Sequence, residues 1–126
     1  NILIIDIVEA PNGVVGTADG KKVWWTDGTV CKTAKVNADG TLSDAKVASK
    51  IGSDGLAVDE RGNLYTVTKE GIAIHNADAE QIGTIAVPES PSNLKFGGAD
   101  GKTLFITART GAYIVEMKVR GDGFGK

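Results

Sequence analysis

A segment that recurs three times restricts this fold more than any other feature of the chain. Asn12 to Thr26, Asp54 to Thr68 and Asn93 to Thr107 align over fifteen residues without a gap. In every copy a glycine stands eight places after the first residue (Gly20, Gly62, Gly101), and a threonine stands fourteen places after it (Thr26, Thr68, Thr107). The copies start 42 and 39 residues apart. Self-similarity at a fixed spacing of this size marks a chain built from repeated supersecondary units.

Each copy reads as a hairpin. A short inner strand (Val14–Thr17, Leu56–Asp59, Lys95–Gly97) runs into a turn at Asp19-Gly20, Arg61-Gly62-Asn63 or Asp100-Gly101. Glycine supplies the positive φ that such turns need. A second strand follows whose apolar residues alternate, as in Leu104-Phe105-Ile106, so one face can bury. Further strands are expected at Val30–Val36, Lys46–Ile51, Gly71–His75, Gln81–Val87 and Ala112–Val119. No stretch shows helical periodicity, so the expected class is all-β. Four strands recurring about every 40 residues describe the blade of a β-propeller.

The expected organisation is one unit, residues 1–126, holding three blades at 11–51, 52–90 and 91–126. Residues 1–10 supply an outer edge strand (Ile2–Val8), either of a preceding blade or as the missing fourth strand of the third copy. The chain opens on Asn1 and directly on that strand-like run, which suggests a cut in a longer chain or a processed end. Three blades are too few to close a ring. Either further blades or a second copy of the chain is expected to complete it.

Composition narrows the function classes. Among 126 residues, 24% are charged and the formal net charge is −2. That leaves no basic field for a nucleic-acid backbone, and the apolar run Ile2-Leu3-Ile4-Ile5 is far too short to span a bilayer. Neither nucleic acid nor membrane is an expected partner. No charged region precedes that run, so it does not read as a signal peptide, and the compartment stays open. Cys31 is the single cysteine, expected as a small buried thiol on a strand.

At the head of each inner strand stand Asn12, Asp54 and Asn93. In a propeller those positions converge on one mouth of the central channel. An amide oxygen and a carboxylate converging there suit a hard divalent cation, and such a cation can polarise a carbonyl and activate water. Asn and Asp before Gly are also ordinary turn formers. His75, the only histidine, precedes Asn76-Ala77-Asp78 and reads as a solvated turn residue. Trp24 and Trp25 point to opposite faces of one strand, one expected in the core and the other between blades. Arg109, just after a strand end, reads as a surface guanidinium, with a place facing the channel mouth as the alternative.

Several motifs carry a resemblance. They are Pro11-Asn12-Gly13-Val14 followed by Ala18-Asp19-Gly20-Lys21-Lys22, then Asn37-Ala38-Asp39-Gly40-Thr41-Leu42-Ser43, then Ser53-Asp54-Gly55-Leu56-Ala57-Val58-Asp59 with Gly62-Asn63-Leu64-Tyr65. The last is Ser92-Asn93 with Phe96-Gly97-Gly98-Ala99-Asp100-Gly101-Lys102-Thr103-Leu104-Phe105-Ile106-Thr107-Ala108. In order and spacing they resemble the gluconolactonase/regucalcin (senescence marker protein) family from Pro11 to Val119.

The resemblance implies the C-terminal half of a six-bladed propeller that hydrolyses sugar lactones or related esters. It implies a divalent metal at the channel, calcium ahead of zinc, held by Asn12, Asp54 and a first-blade glutamate with no counterpart in this sequence. Beside a metal so placed, Asp54 is available to take the proton of an activated water, which makes it the expected catalytic residue. Asn93 is not among that family's usual ligands and is expected as a channel contact from its place at the head of its strand alone. Ser53 stands where the family has proline. The alternatives are a propeller that binds without catalysis and a half-propeller that closes a ring with itself.

Overall fold

The computed structural model describes residues 9–124, and the expected Ile2–Val8 strand lies outside them. The described residues form eleven strands in three antiparallel sheets. The first sheet holds β1 (Pro11–Gly16), β2 (Lys22–Asp27), β3 (Val30–Val36) and β4 (Leu42–Ser49) in that order. The second holds β5 (Leu56–Val58), β6 (Leu64–Val67), β7 (Gly71–His75) and β8 (Gln81–Ala86), and the third β9 (Pro91–Gly97), β10 (Thr103–Ala108) and β11 (Ala112–Glu116). Each sheet is a meander of adjacent hairpins, the form of a blade, and together they make a partial propeller. The glycines predicted to turn the hairpins do so: Gly20, Gly62 and Gly101 have φ of 73°, 82° and 73°. β4 begins earlier than its sequence suggests, because Asp44 takes a φ of 54° and kinks the β3–β4 ladder without ending it.

Two apolar clusters stack the sheets. Trp24 and Cys31 of the first blade pack on Val58 and Leu64 of the second. Ala57, Tyr65, Val67 and Ile72 of the second pack on Leu94, Phe96, Leu104 and Ile106 of the third. The middle blade is thus buried on both faces, and all four residues of β6 are buried. Fully burying each large apolar side chain contributes about 1.5–3 kcal/mol, so the interfaces hold the array together. Tyr65 meets Phe96 edge to face at 5.3 Å between ring centres. Of the two tryptophans, Trp24 is the one in the inter-blade cluster. Cys31 is fully buried as expected, and that burial pushes its thiol pKa up to about 11.

His75 is not the solvated turn residue the sequence suggests. It is 4% exposed, because it ends β7 opposite Leu64 and therefore lies on the face that packs against the first blade. Its Nδ1 has no hydrogen-bond partner among the described residues, and burial holds its pKa below the ordinary 6.5. The unfolded chain then takes up a proton more readily than the folded one. Stability is expected to be full above pH 6.5 and to fall as pH drops below that value. Urea midpoints at pH 7 and pH 5 check this: wild-type protein should lose stability over that interval, and His75→Gln should lose less. Equal losses in the two proteins would contradict it.

The inner strands of consecutive blades lie side by side, β1 against β5 and β5 against β9. The buried carboxylate of Asp59 shapes the hairpin after β5. It accepts hydrogen bonds from the Arg61 and Asn63 backbone N–H groups, from Asn63 Nδ2 at 3.0 Å and from the Tyr65 hydroxyl at 2.8 Å. Burial, and then the Asp59 bond, raise the Tyr65 pKa well above that of a free phenol. After β11 the chain turns back beneath the inner hairpins, where Gly121 bridges to Asp59.

Candidate metal and catalytic site

Asn12 and Asp54 come from different blades and meet at the heads of β1 and β5. Asn12 Nδ2 donates to Asp54 Oδ1, and both side chains are exposed. Their approach is built into the backbone. A Cβ placed on Gly13 would lie 2.8 Å from Ser53 O and 2.9 Å from Asp54 O. Gly13 does not have a positive φ. Its glycine is required by the closeness of the next blade, not by a turn.

A buried hydroxyl fixes the two strand heads to each other. Thr26 Oγ1 accepts from Gly13 N at 2.8 Å and donates to Ser53 O at 2.8 Å. The residues next to Asn12 and Asp54 are therefore joined through one atom of β2. Ser53 extends the lock into its own blade: its hydroxyl donates to Gly55 O at 2.6 Å and accepts from Val67 N at 3.0 Å. A proline at this position lacks that hydroxyl. The sequence marks Ser53 only as a departure from the family's proline beside Asp54, and it does not mark Thr26 as part of the site, although Thr26 is the threonine that recurs fourteen places into each copy.

Asn93 sits differently. Blades stack the same way round, so residues facing the preceding blade correspond to one another. Val58 and Leu64 face the first blade, while Phe96 and Leu104 face the second. Phe96 is thus the counterpart of Val58, and the residue four before it, Ser92, is the counterpart of Asp54. Asn93 falls one place later, and its Oδ1 accepts from Leu94 N at 2.8 Å, turning the side chain back on its own strand. A Cβ on Gly55 would lie 2.5 Å from Asn93 Oδ1, so the second and third blades approach as closely as the first and second. Asn93 and Asp54 line one hollow of about 890 Å3.

A second hollow of about 470 Å3 is lined by Asn12, Ser53, Asp54, Gly28, Lys69 and Pro91 among others. Its donors are oxygens of an amide and a carboxylate, and a half-turn of the Asn12 amide presents Oδ1 beside Asp54. Such a pair fits a hard cation, with other ligands to come from elsewhere. Among the described residues no three His, Cys, Asp or Glu side chains gather. Arg109 is exposed in the turn between β10 and β11, near Glu89. Glu89 receives bonds from the hydroxyls of Thr110 and Tyr113, which hold its carboxyl below the usual range.

Residues 2–110 match the SMP-30/gluconolactonase/LRE-like region. The chain belongs to that family. A pentonolactonase, XacC of Haloferax volcanii, is 28% identical over 115 residues, covering 82% of this chain and 40% of its own length. A gluconolactonase structure from Xanthomonas campestris superimposes with a TM-score of 0.78 at 24% identity, covering 89% of this chain and 39% of its own. Regucalcin from Agrobacterium tumefaciens, described as a calcium-binding protein, gives 0.73 at 20% identity and covers 92% and 48%. The chain thus spans less than half the length of these proteins.

Proposed function

We propose that the chain is part of a metal-dependent hydrolase of sugar lactones, with residues 11–51, 52–90 and 91–126 as three blades of its ring. The observation that carries this reading is the meeting of Asn12 and Asp54, two oxygen-bearing side chains from separate blades, at one end of the inner strands. Membership of a family that includes lactonases, and the description of a structural relative as calcium-binding, support lactone as substrate and calcium ahead of zinc.

Asn12 and Asp54 would hold a divalent cation, and the chemistry it would supply is Lewis-acid polarisation of the lactone carbonyl. Asn12 and Asp54 orient the reacting groups. Asp54 accepts a proton from the attacking water as its oxygen bonds to the carbonyl carbon. When the ring C–O bond breaks, that proton passes to the leaving alkoxide, giving the hydroxy acid.

The third blade indicates what adjoins it. Lys95, Phe105 and Ile114 form a cross-strand row with Phe105 47% and Ile114 64% exposed. The corresponding row on the second blade, Ala57, Tyr65 and Ile74, is packed against its neighbour. The remaining blades of a longer polypeptide are the proposed cover, and light scattering distinguishes them from a second copy.

The test is hydrolysis of five- and six-carbon sugar lactones by the intact protein, followed as acid release, before and after exhaustive chelation. Acid release that stops on chelation and returns with calcium is the expected result. Turnover unaffected by chelation would overturn the metal role, and no release from any sugar lactone would overturn the substrate class.

A further inference from the structure

The segment after β11 touches all three blades at the end of the inner strands opposite Asn12 and Asp54. Glu60 N donates to Arg120 O at 2.8 Å, Gly121 N to Gly101 O at 2.9 Å, and Asp122 N to Val58 O at 2.9 Å. Asp122 Oδ2 accepts from Ala18 N at 2.7 Å. Phe124 fills the space beside Gly101, where a Cβ would lie 2.5 Å from Phe124 Cβ, and a Cβ on Gly121 would lie 2.4 Å from Phe96 Cβ and 3.0 Å from the Phe124 ring. Gly121 is buried, and so is Val119.

Asp122 is the residue that joins the two strands carrying the site. Its backbone bonds the last residue of β5, and its carboxylate bonds the residue two places beyond the end of β1. Thr26 ties the same two strands at their heads. Apolar packing around Val15, Leu56 and Val58 holds the middle of the strand pair, and a hydrogen-bonded tie at each end further restricts its separation and angle. We propose that residues 119–124 form a clasp, and that Asp122 is a positioning residue for the Asn12–Asp54 pair. The consequence for metal binding rests on the function proposed above, whereas the consequence for the Asn12–Asp54 contact does not.

The bond to Ala18 needs an acceptor oxygen, not a charge. Asp122→Asn keeps such an oxygen and Asp122→Ala removes it. Two readouts on the intact protein separate the claims. The first is solvent exchange of the Asn12 side-chain amide protons, read by NMR without added metal. Asp122→Ala is expected to accelerate it, together with exchange of the Ala18 backbone amide, and Asp122→Asn to restore both. The second is calcium affinity by calorimetry, expected to weaken about fivefold in Asp122→Ala and to recover in Asp122→Asn.

Faster exchange at Ala18 with unchanged exchange at Asn12 would overturn the proposal, because the far-end bond would then not reach the site. Failure of Asp122→Asn to restore Asn12 would also overturn it. Should the alanine variant not fold, Asp122→Asn alone decides through the Asn12 amide protons, whose protection must match wild type. Wild-type protein that binds no calcium counts against the proposed function and leaves the exchange result standing.

Discussion

Asp54→Ala is expected to lower lactone turnover by about a thousandfold while leaving the fold in place. Asp54 is exposed, belongs to neither apolar cluster and lies ahead of β5, so its loss opens no cavity. An exposed substitution of this kind changes stability by about 0.5 kcal/mol or less. Asp54→Asn divides the two roles given to the carboxylate. The amide still offers an oxygen to a cation but does not accept a proton from water at neutral pH. Calcium affinity in Asp54→Asn should therefore fall less than turnover does. A fully active Asp54→Ala, with its fold verified by circular dichroism, would remove Asp54 from the mechanism.

Gly13→Ala is expected to cost about a hundredfold in turnover, since displacing positioned groups by an ångström has that effect. Its new methyl group meets backbone oxygens of Ser53 and Asp54 at 2.8 and 2.9 Å, and neither can rotate aside as a side-chain end could. The second blade must therefore move away from the first, parting Asn12 from Asp54 and stretching the Thr26 bonds. Overpacking of this sort destabilises by about 1–3 kcal/mol. Gly16→Ala, on the same strand, is the control: its nearest neighbour is Lys22 O at 3.8 Å. Turnover and melting temperature measured for the pair decide the matter, and indistinguishable variants would show that the close approach at Gly13 is absent.

The fold class was readable because two local rules agree in this chain. Alternating apolar residues need a sheet with a buried face, and glycines at fixed offsets supply the hairpins that make one. The register of the third copy was not readable by the same means. The turn glycines anchor a gapless alignment at the hairpins, yet the turn joining Phe96 to Leu104 is two residues longer than the one joining Val58 to Leu64. Only stacking reveals which residues face which blade, and that moves the counterpart of Asp54 from Asn93 to Ser92.

His75 eluded the sequence for a related reason. The turn after it is exposed, but strand alternation places its side chain on an interface that exists only once two blades dock. The pairing of Asn12 with Asp54 was within reach because both head their inner strands. The hydroxyl of Thr26 between them was not, since it links residues 13 and 53 across two sheets.

The stacking correspondence has an evolutionary reading. Duplicating a blade also duplicates the position at the head of its inner strand, and in this chain that position holds Asn12, Asp54 and Ser92. Backbone placement there is inherited with the blade, so each copy's side chain can drift without disturbing the packing of the others. Repeated blades of this kind can thus change the residue at one strand head at a time while the others stay as they are. A change of chemistry then needs no new fold, only a different set of residues at positions the repeat already provides.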